Sequence, residues 1–72
     1  MNFGERLRIL REKFGYTQSD IAKALKTTQS YYAQYENNRR QITLERAAEL
    51  ARFYGVSLDY IAGLNDNINR HW

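Results

Sequence analysis

Five short helices and no strands are expected from this sequence, folded as one compact all-α domain. Three observations carry that expectation. Apolar residues recur at i, i+3 and i+4 spacings, with no strand-like alternation between them. A threonine or serine stands ahead of most of these stretches, where a helix needs a side-chain acceptor for its free amides. Proline is absent, so nothing interrupts a helix once it has begun.

The elements follow in order. Phe3, Leu7, Leu10 and Phe14 form one face of a first amphipathic helix, with arginines and glutamates on its other faces. "GYT" stops it, Gly15 being suited to the left-handed position after a helix end. Thr17 caps a second helix, with Asp20 at the third position facing the positive dipole end. Ile21, Ala22 and Leu25 are its buried stripe. Thr28 caps a third, running from about Gln29 to Asn37. Tyr32 and Tyr35 share its inner face and are expected in the core with hydroxyls reaching the surface. "NNRRQI" is a loop whose asparagines tolerate left-handed geometry. Thr43 caps a fourth helix with Leu44, Ala47, Ala48, Leu50, Ala51 and Tyr54 on a wide apolar face. Gly55 ends it and Val56 supplies the apolar contact beyond. Ser57 caps a short fifth helix, "LDYIAG", with Leu58 and Ile61 inward. The domain is expected over residues 1–64, and 65–72 read as a polar tail.

Composition narrows the function. Seventy-two residues make one domain with a small core. An apolar fraction of 43% argues against disorder. Without cysteine there is no disulfide and no thiolate metal site. His71 stands alone, so no metal ligand set forms, and no histidine is placed to activate Ser19, Ser30 or Ser57. The four glycines are scattered, which excludes a glycine-rich phosphate loop. Glu45 and Glu49 sit one turn apart and read as a solvated face rather than an acid/base pair. An enzyme is not expected, nor a cofactor or small-molecule ligand. The charged N-terminus has no leader pattern and no apolar run approaches a membrane span, so a cytoplasmic protein is expected.

Charge is unevenly placed. Residues 1–40 hold eight basic against four acidic side chains, and residues 41–72 hold three against four. A basic half suits a polyanion. The second and third helices, joined by "KT", are two capped helices with a link so short that they must cross sharply, as in a helix-turn-helix. Glutamine donates and accepts at once and so matches the edge of adenine. Gln29 lies in the first turn and Gln34 further along the same outward side. On an ordinary surface helix such glutamines are merely solvated. Here lysine and glutamate, the usual surface helix formers, are missing from Gln29 to Tyr35. That suits a face to be desolvated against bases.

On these residues the chain resembles the Cro and lambda-repressor-like DNA-binding domain of the xenobiotic-response-element type. "RLRILREKFGYTQSDIAKAL" resembles its first two helices, "TQSYYAQYENNRR" its recognition helix and following loop, and "TLERAAELARFYGVSLDYIAGL" its last two. The resemblance spans about residues 3–64 and implies a five-helix fold with a recognition helix over 28–36. It implies base reading by Gln29, Ser30 and Gln34. It implies phosphate contacts by Gln18, which also supports Gln29, and by Asn37, Arg39 and Arg40 in the loop. It further implies a structural pair, Arg11 with Glu36. Thr28 and Lys26 are expected to meet phosphates as well. Lys26 stands where the family usually has glycine, and a left-handed lysine costs about 1–2 kcal/mol. Tyr31 is expected at a phosphate or sugar, with surface packing as the alternative.

The implied function is a sequence-specific double-stranded DNA-binding transcriptional regulator of bacterial or phage-like type. It is expected to be a repressor, acting as a homodimer on an inverted repeat. Ile42, Leu64, Ile68 and Trp72 are apolar residues in loop or tail and are the candidates for the dimer contact. The alternative is a protein-interaction module, such as an antitoxin or an anti-repressor, docking its partner through the same residues.

Overall fold

Local capping chemistry sets the five helices. The structure is a computed structural model, and it describes residues 2–63. Leu64, Ile68, His71, Trp72 and the tail expected from 65 to 72 lie outside the described residues. The elements are α1 (Phe3–Lys13), α2 (Gln18–Ala24), α3 (Gln29–Glu36), α4 (Leu44–Tyr54) and α5 (Leu58–Ala62), with no strand among the described residues.

Four of the caps are those expected. Thr17 accepts from the Asp20 amide at 3.0 Å while Asp20 accepts from the Thr17 amide at 2.9 Å, a reciprocal capping box. Thr28 accepts from Tyr31, Thr43 from Arg46 and Ser57 from Tyr60. The fifth cap is Asn2, whose side chain accepts from the Glu5 amide at 2.9 Å.

The helix ends are as specific. After α2 the chain turns through Lys26 at φ 58°, and the Thr27 amide reaches back to the Ala22 carbonyl at 2.9 Å. After α3 it turns through Asn38 at φ 59°, and the Arg39 amide reaches back to the Gln34 carbonyl at 2.9 Å. Both are the left-handed ends that glycine usually supplies. Gly15, Gly55 and Gly63 fill the same role after α1, α4 and α5. α3 ends one residue earlier than expected, with Asn37 as its cap.

α3 packs against α2 and α1, and α5 packs against α4 and α1. Leu7, Leu10, Ile21, Tyr32, Leu50, Val56 and Ile61 are fully buried between them, with Tyr35 beside them. Two expectations are corrected. Leu44 does not join the apolar face of α4: it is 73% exposed, because the first helical residue overhangs the core instead of covering it. The Tyr32 hydroxyl does not reach the surface. It is buried next to the Glu36 carboxylate, because α3 turns that side of the ring toward α1 rather than toward solvent.

Candidate nucleic-acid interface

α3 is a helix of two faces. Tyr32, Tyr35 and Glu36 are buried against the body. Gln29, Ser30 and Asn37 are exposed, and Ala33 and Gln34 are half-buried on the same outward arc. No acidic residue lies in the first turn of α3, so its positive dipole end faces outward uncompensated. Lys26 before the helix and Arg39 and Arg40 after it are all exposed. The outward face is therefore polar and uncharged in its middle and cationic at both ends.

A buried network fixes this helix to the rest of the domain. Arg11 Nε donates to Glu36 Oε2 at 2.7 Å and Arg11 Nη2 to Glu36 Oε1 at 3.2 Å, a two-pronged pair. Arg11 Nη1 also donates to the Tyr16 carbonyl at 2.9 Å. Gln18 Nε2 donates to Glu36 Oε1 at 3.1 Å, so its amide is aimed at Glu36 rather than at Gln29. That bond uses one of its two amide hydrogens. Burial by itself pushes the Glu36 carboxyl up. Hydrogen bonds from Arg11 and Gln18, with the positive charge of Arg11, outweigh it and hold the group below its ordinary value. The same contact, against a smaller desolvation effect, raises Arg11. Desolvation drives the Tyr32 and Tyr54 hydroxyls upward, so both stay neutral beside the carboxylate.

The loop after α3 folds back over the helix. The Arg39 and Arg40 amides both donate to the Gln34 carbonyl, at 2.9 and 3.3 Å. Arg40 Nε donates to the Gln34 side-chain Oε1 at 3.0 Å. Tyr31 lies against this pair: the Arg40 guanidinium is 4.4 Å and that of Arg46 is 5.6 Å from its ring centroid. Its edge meets Tyr35 at 5.6 Å. Arg46 is itself tied to α2 by a bond from Nη1 to the Leu25 carbonyl at 3.2 Å.

Two residues that serve this face escape sequence reasoning. One is Arg46, half a domain away in sequence. The other is Asn38. Its Oδ1 accepts from the Gly4 amide at 3.0 Å and its Nδ2 donates to Asn2 Oδ1 at 3.0 Å. These bonds lash the end of α3 to the start of α1. "NN" in the sequence signals the left-handed turn but not this partner.

Beside the loop, Phe3, Ile42, Leu44, Ala47, Leu58 and Ile61 line an apolar groove of about 690 Å³, with Arg39, Arg40 and Asp59 also at its walls. No helix of the described residues is long and apolar enough to cross a membrane.

A helix-turn-helix made of α2 and α3, with a capped and outward-facing second helix, is matched by the family model described as Helix-turn-helix over residues 7–61. The chain belongs to that helix-turn-helix family. It is similar to the uncharacterized HTH-type transcriptional regulator YobD of Bacillus subtilis, 38% identical over 63 residues that cover 88% of this chain and 56% of that protein. It is similar also to the HTH-type transcriptional regulator ImmR of the same organism, 33% identical over 66 residues, 92% of this chain and 52% of ImmR. The SPbeta prophage-derived uncharacterized HTH-type transcriptional regulator YonR of the same organism is 36% identical over 59 residues, 82% of this chain and 55% of YonR. The chain thus spans about half the length of these relatives. No solved structure matches it with comparable significance. The helix-turn-helix match covers both ends of α3 and the Arg11–Glu36 brace.

Proposed function

We propose that this helix-turn-helix domain is a sequence-specific binder of double-stranded DNA and acts in transcriptional regulation, as a repressor, in the cytoplasm. The observation that carries the reading is the outward arc of α3: Gln29, Ser30 and Gln34 uncharged at its middle, with Lys26, Arg39 and Arg40 exposed at its ends. Amides and a hydroxyl pair with base edges in the major groove, and flanking cations neutralise phosphates. Thr28, Gln18, Asn37 and Tyr31 would add phosphate contacts around that arc. The relatives' names support a regulatory role.

The DNA-bound form is a homodimer on an inverted repeat, its half-sites roughly 34 Å apart. The apolar groove lined by Ile42, Leu44 and Leu58 supports such pairing, since it leaves apolar surface uncovered next to the recognition helix. The same groove favours a second reading, a module that docks another protein, as an antitoxin or anti-repressor does.

Selection of bound duplexes from a randomised pool tests the first reading. A palindromic site is expected. Alanine at Gln29 lowers affinity for that site by about 1–3 kcal/mol and relaxes one base position. Alanine at Arg39 weakens all sequences alike and reduces the salt slope by about 1. An absence of DNA binding even at low salt refutes this reading in favour of the second.

A further inference from the structure

A glutamine in the major groove reads adenine with both ends of its amide, the oxygen accepting from N6 and the nitrogen donating to N7. Gln34 is not free to do so. Its Oε1 already accepts from Arg40 Nε at 3.0 Å. The amide's orientation follows from chemistry, because a guanidinium carries donors only and must meet the oxygen. Gln34 therefore turns its NH₂ away from Arg40. The oxygen keeps a second lone pair, but an adenine N6 group approaching it would meet the hydrogens and charge of the guanidinium. What the pair offers is donors: the Gln34 amide hydrogens and those of the Arg40 Nη groups. Guanine presents the matching edge, with acceptors at O6 and N7.

The arrangement is braced from two sides. The backbone amides of Arg39 and Arg40 close on the Gln34 carbonyl, which fixes where the Arg40 side chain starts. The Tyr31 ring lies 4.4 Å from the guanidinium of Arg40, and Arg46 adds a second cation 5.6 Å from the same ring. Arg46 is anchored on the Leu25 carbonyl and Tyr31 on Tyr35. The ring stands on a fixed support and holds the planar guanidinium in register with the amide.

We propose that Arg40 is a specificity-determining residue: by occupying the side-chain oxygen Oε1 of Gln34, with Tyr31 as its positioning residue, it makes Gln34 a donor that selects guanine over adenine. This rests on α3 reading bases in the major groove. It assigns Arg40 a role beyond charge and gives Tyr31 a task that a phosphate contact does not require.

The test is the base preference of four proteins, each selected against the same randomised duplex pool: the full chain as it stands, Gln34→Ala, Arg40→Ala and Tyr31→Leu. Circular dichroism melting of each variant shows that it is folded. The base position that loses its preference in Gln34→Ala is the one Gln34 reads. In the unaltered protein that position is expected to be guanine, favoured over adenine by roughly ten- to a hundredfold. In Arg40→Ala the same position is expected to move toward adenine by at least about tenfold, because the freed amide can now use both ends. Tyr31→Leu is expected to move it the same way and less. Adenine at that position in the unaltered protein overturns the proposal. So does an Arg40→Ala variant that binds every sequence more weakly with its preference unchanged, the signature of a phosphate contact alone. So, too, does a Gln34→Ala variant that relaxes no position. If no sequence is enriched by the unaltered protein, the base-reading function fails and takes the proposal with it.

Discussion

Lys26 occupies left-handed backbone at φ 58°, where a side chain costs about 1–2 kcal/mol and glycine costs nothing. It is exposed, so no packing within the domain accounts for a lysine there. The phosphate contact proposed for it would. Lys26→Gly is expected to raise stability by up to about 1 kcal/mol after glycine's added chain entropy, or a rise in Tm of about 4–8 °C. It is expected at the same time to weaken DNA binding and reduce the salt slope by about 1. Thermal melting and salt titration check the two halves. A lower Tm would show that the lysine is not strained. Glu36 makes a second residue-scale case. Its carboxyl is held below its ordinary value against the opposing effect of burial, so the folded state binds its proton less readily than the unfolded chain does. The stability it contributes is complete above about pH 4.5 and is lost as the pH falls through the lower folded-state value. Asp20, whose carboxylate accepts from the Thr17 amide, shifts the same way. Urea unfolding is expected to show stability flat near neutrality and falling below about pH 4.5. Glu36→Gln should cost about 3 kcal/mol at neutral pH by leaving Arg11 without its counter-charge, and less in acid.

At the scale of elements, what the sequence makes legible is what is local. Thr17, Thr28, Thr43 and Ser57 announce their helices because a cap contacts an amide only three residues on. Tyr32 and Tyr35 announce the inner face of α3 because a helix repeats every few residues. Contacts that cross between elements are not announced. Leu44 continues the apolar pattern of α4 yet overhangs its end, and periodicity cannot say where a core stops. Arg40 bound to Gln34 depends on how a left-handed turn at Asn38 folds the loop back, and six residues of separation do not encode that. Gly4 is the sharpest example. It sits inside α1, where glycine ordinarily weakens a helix. A Cβ there would overlap the Glu36 carbonyl and lie 2.8 Å from Asn38 Nδ2. The start of α1 rests directly on the end of α3, and only glycine permits it. Gly4→Ala, stabilising in a free helix by roughly 0.5–1 kcal/mol, is expected here to destabilise the domain by about 1–3 kcal/mol. Because the displaced element is the C-terminal end of α3, DNA affinity should fall with it. Denaturant unfolding of Gly4→Ala decides the sign, and a gain in stability would mean that α1 can shift without loss.

At the scale of the whole molecule, the outward face of α3 and the apolar groove adjoin through one loop. Arg39, Arg40 and Ile42 line the groove, while Arg40 also bonds Gln34 on α3. A second copy seated on the groove would thus be set in register with the first copy's recognition helix. That coupling is what an inverted repeat requires, since two-fold symmetry of the protein fixes half-site spacing. Leu44 gives the means to test pairing apart from folding. It is 73% exposed and heads α4, where a carboxylate is favoured by the helix dipole. Leu44→Glu is therefore expected to leave stability within about 0.5 kcal/mol. A dimer built on this groove would have to bury that charge, or lose the leucine's apolar contact. Affinity for a duplex carrying both half-sites is expected to fall at least about tenfold, while affinity for a single half-site stays as it was. Side-by-side titration of the two duplexes reads the difference directly. Equal affinity of Leu44→Glu and the unaltered protein for the double site would place the dimer contact elsewhere and leave the groove to a different protein partner.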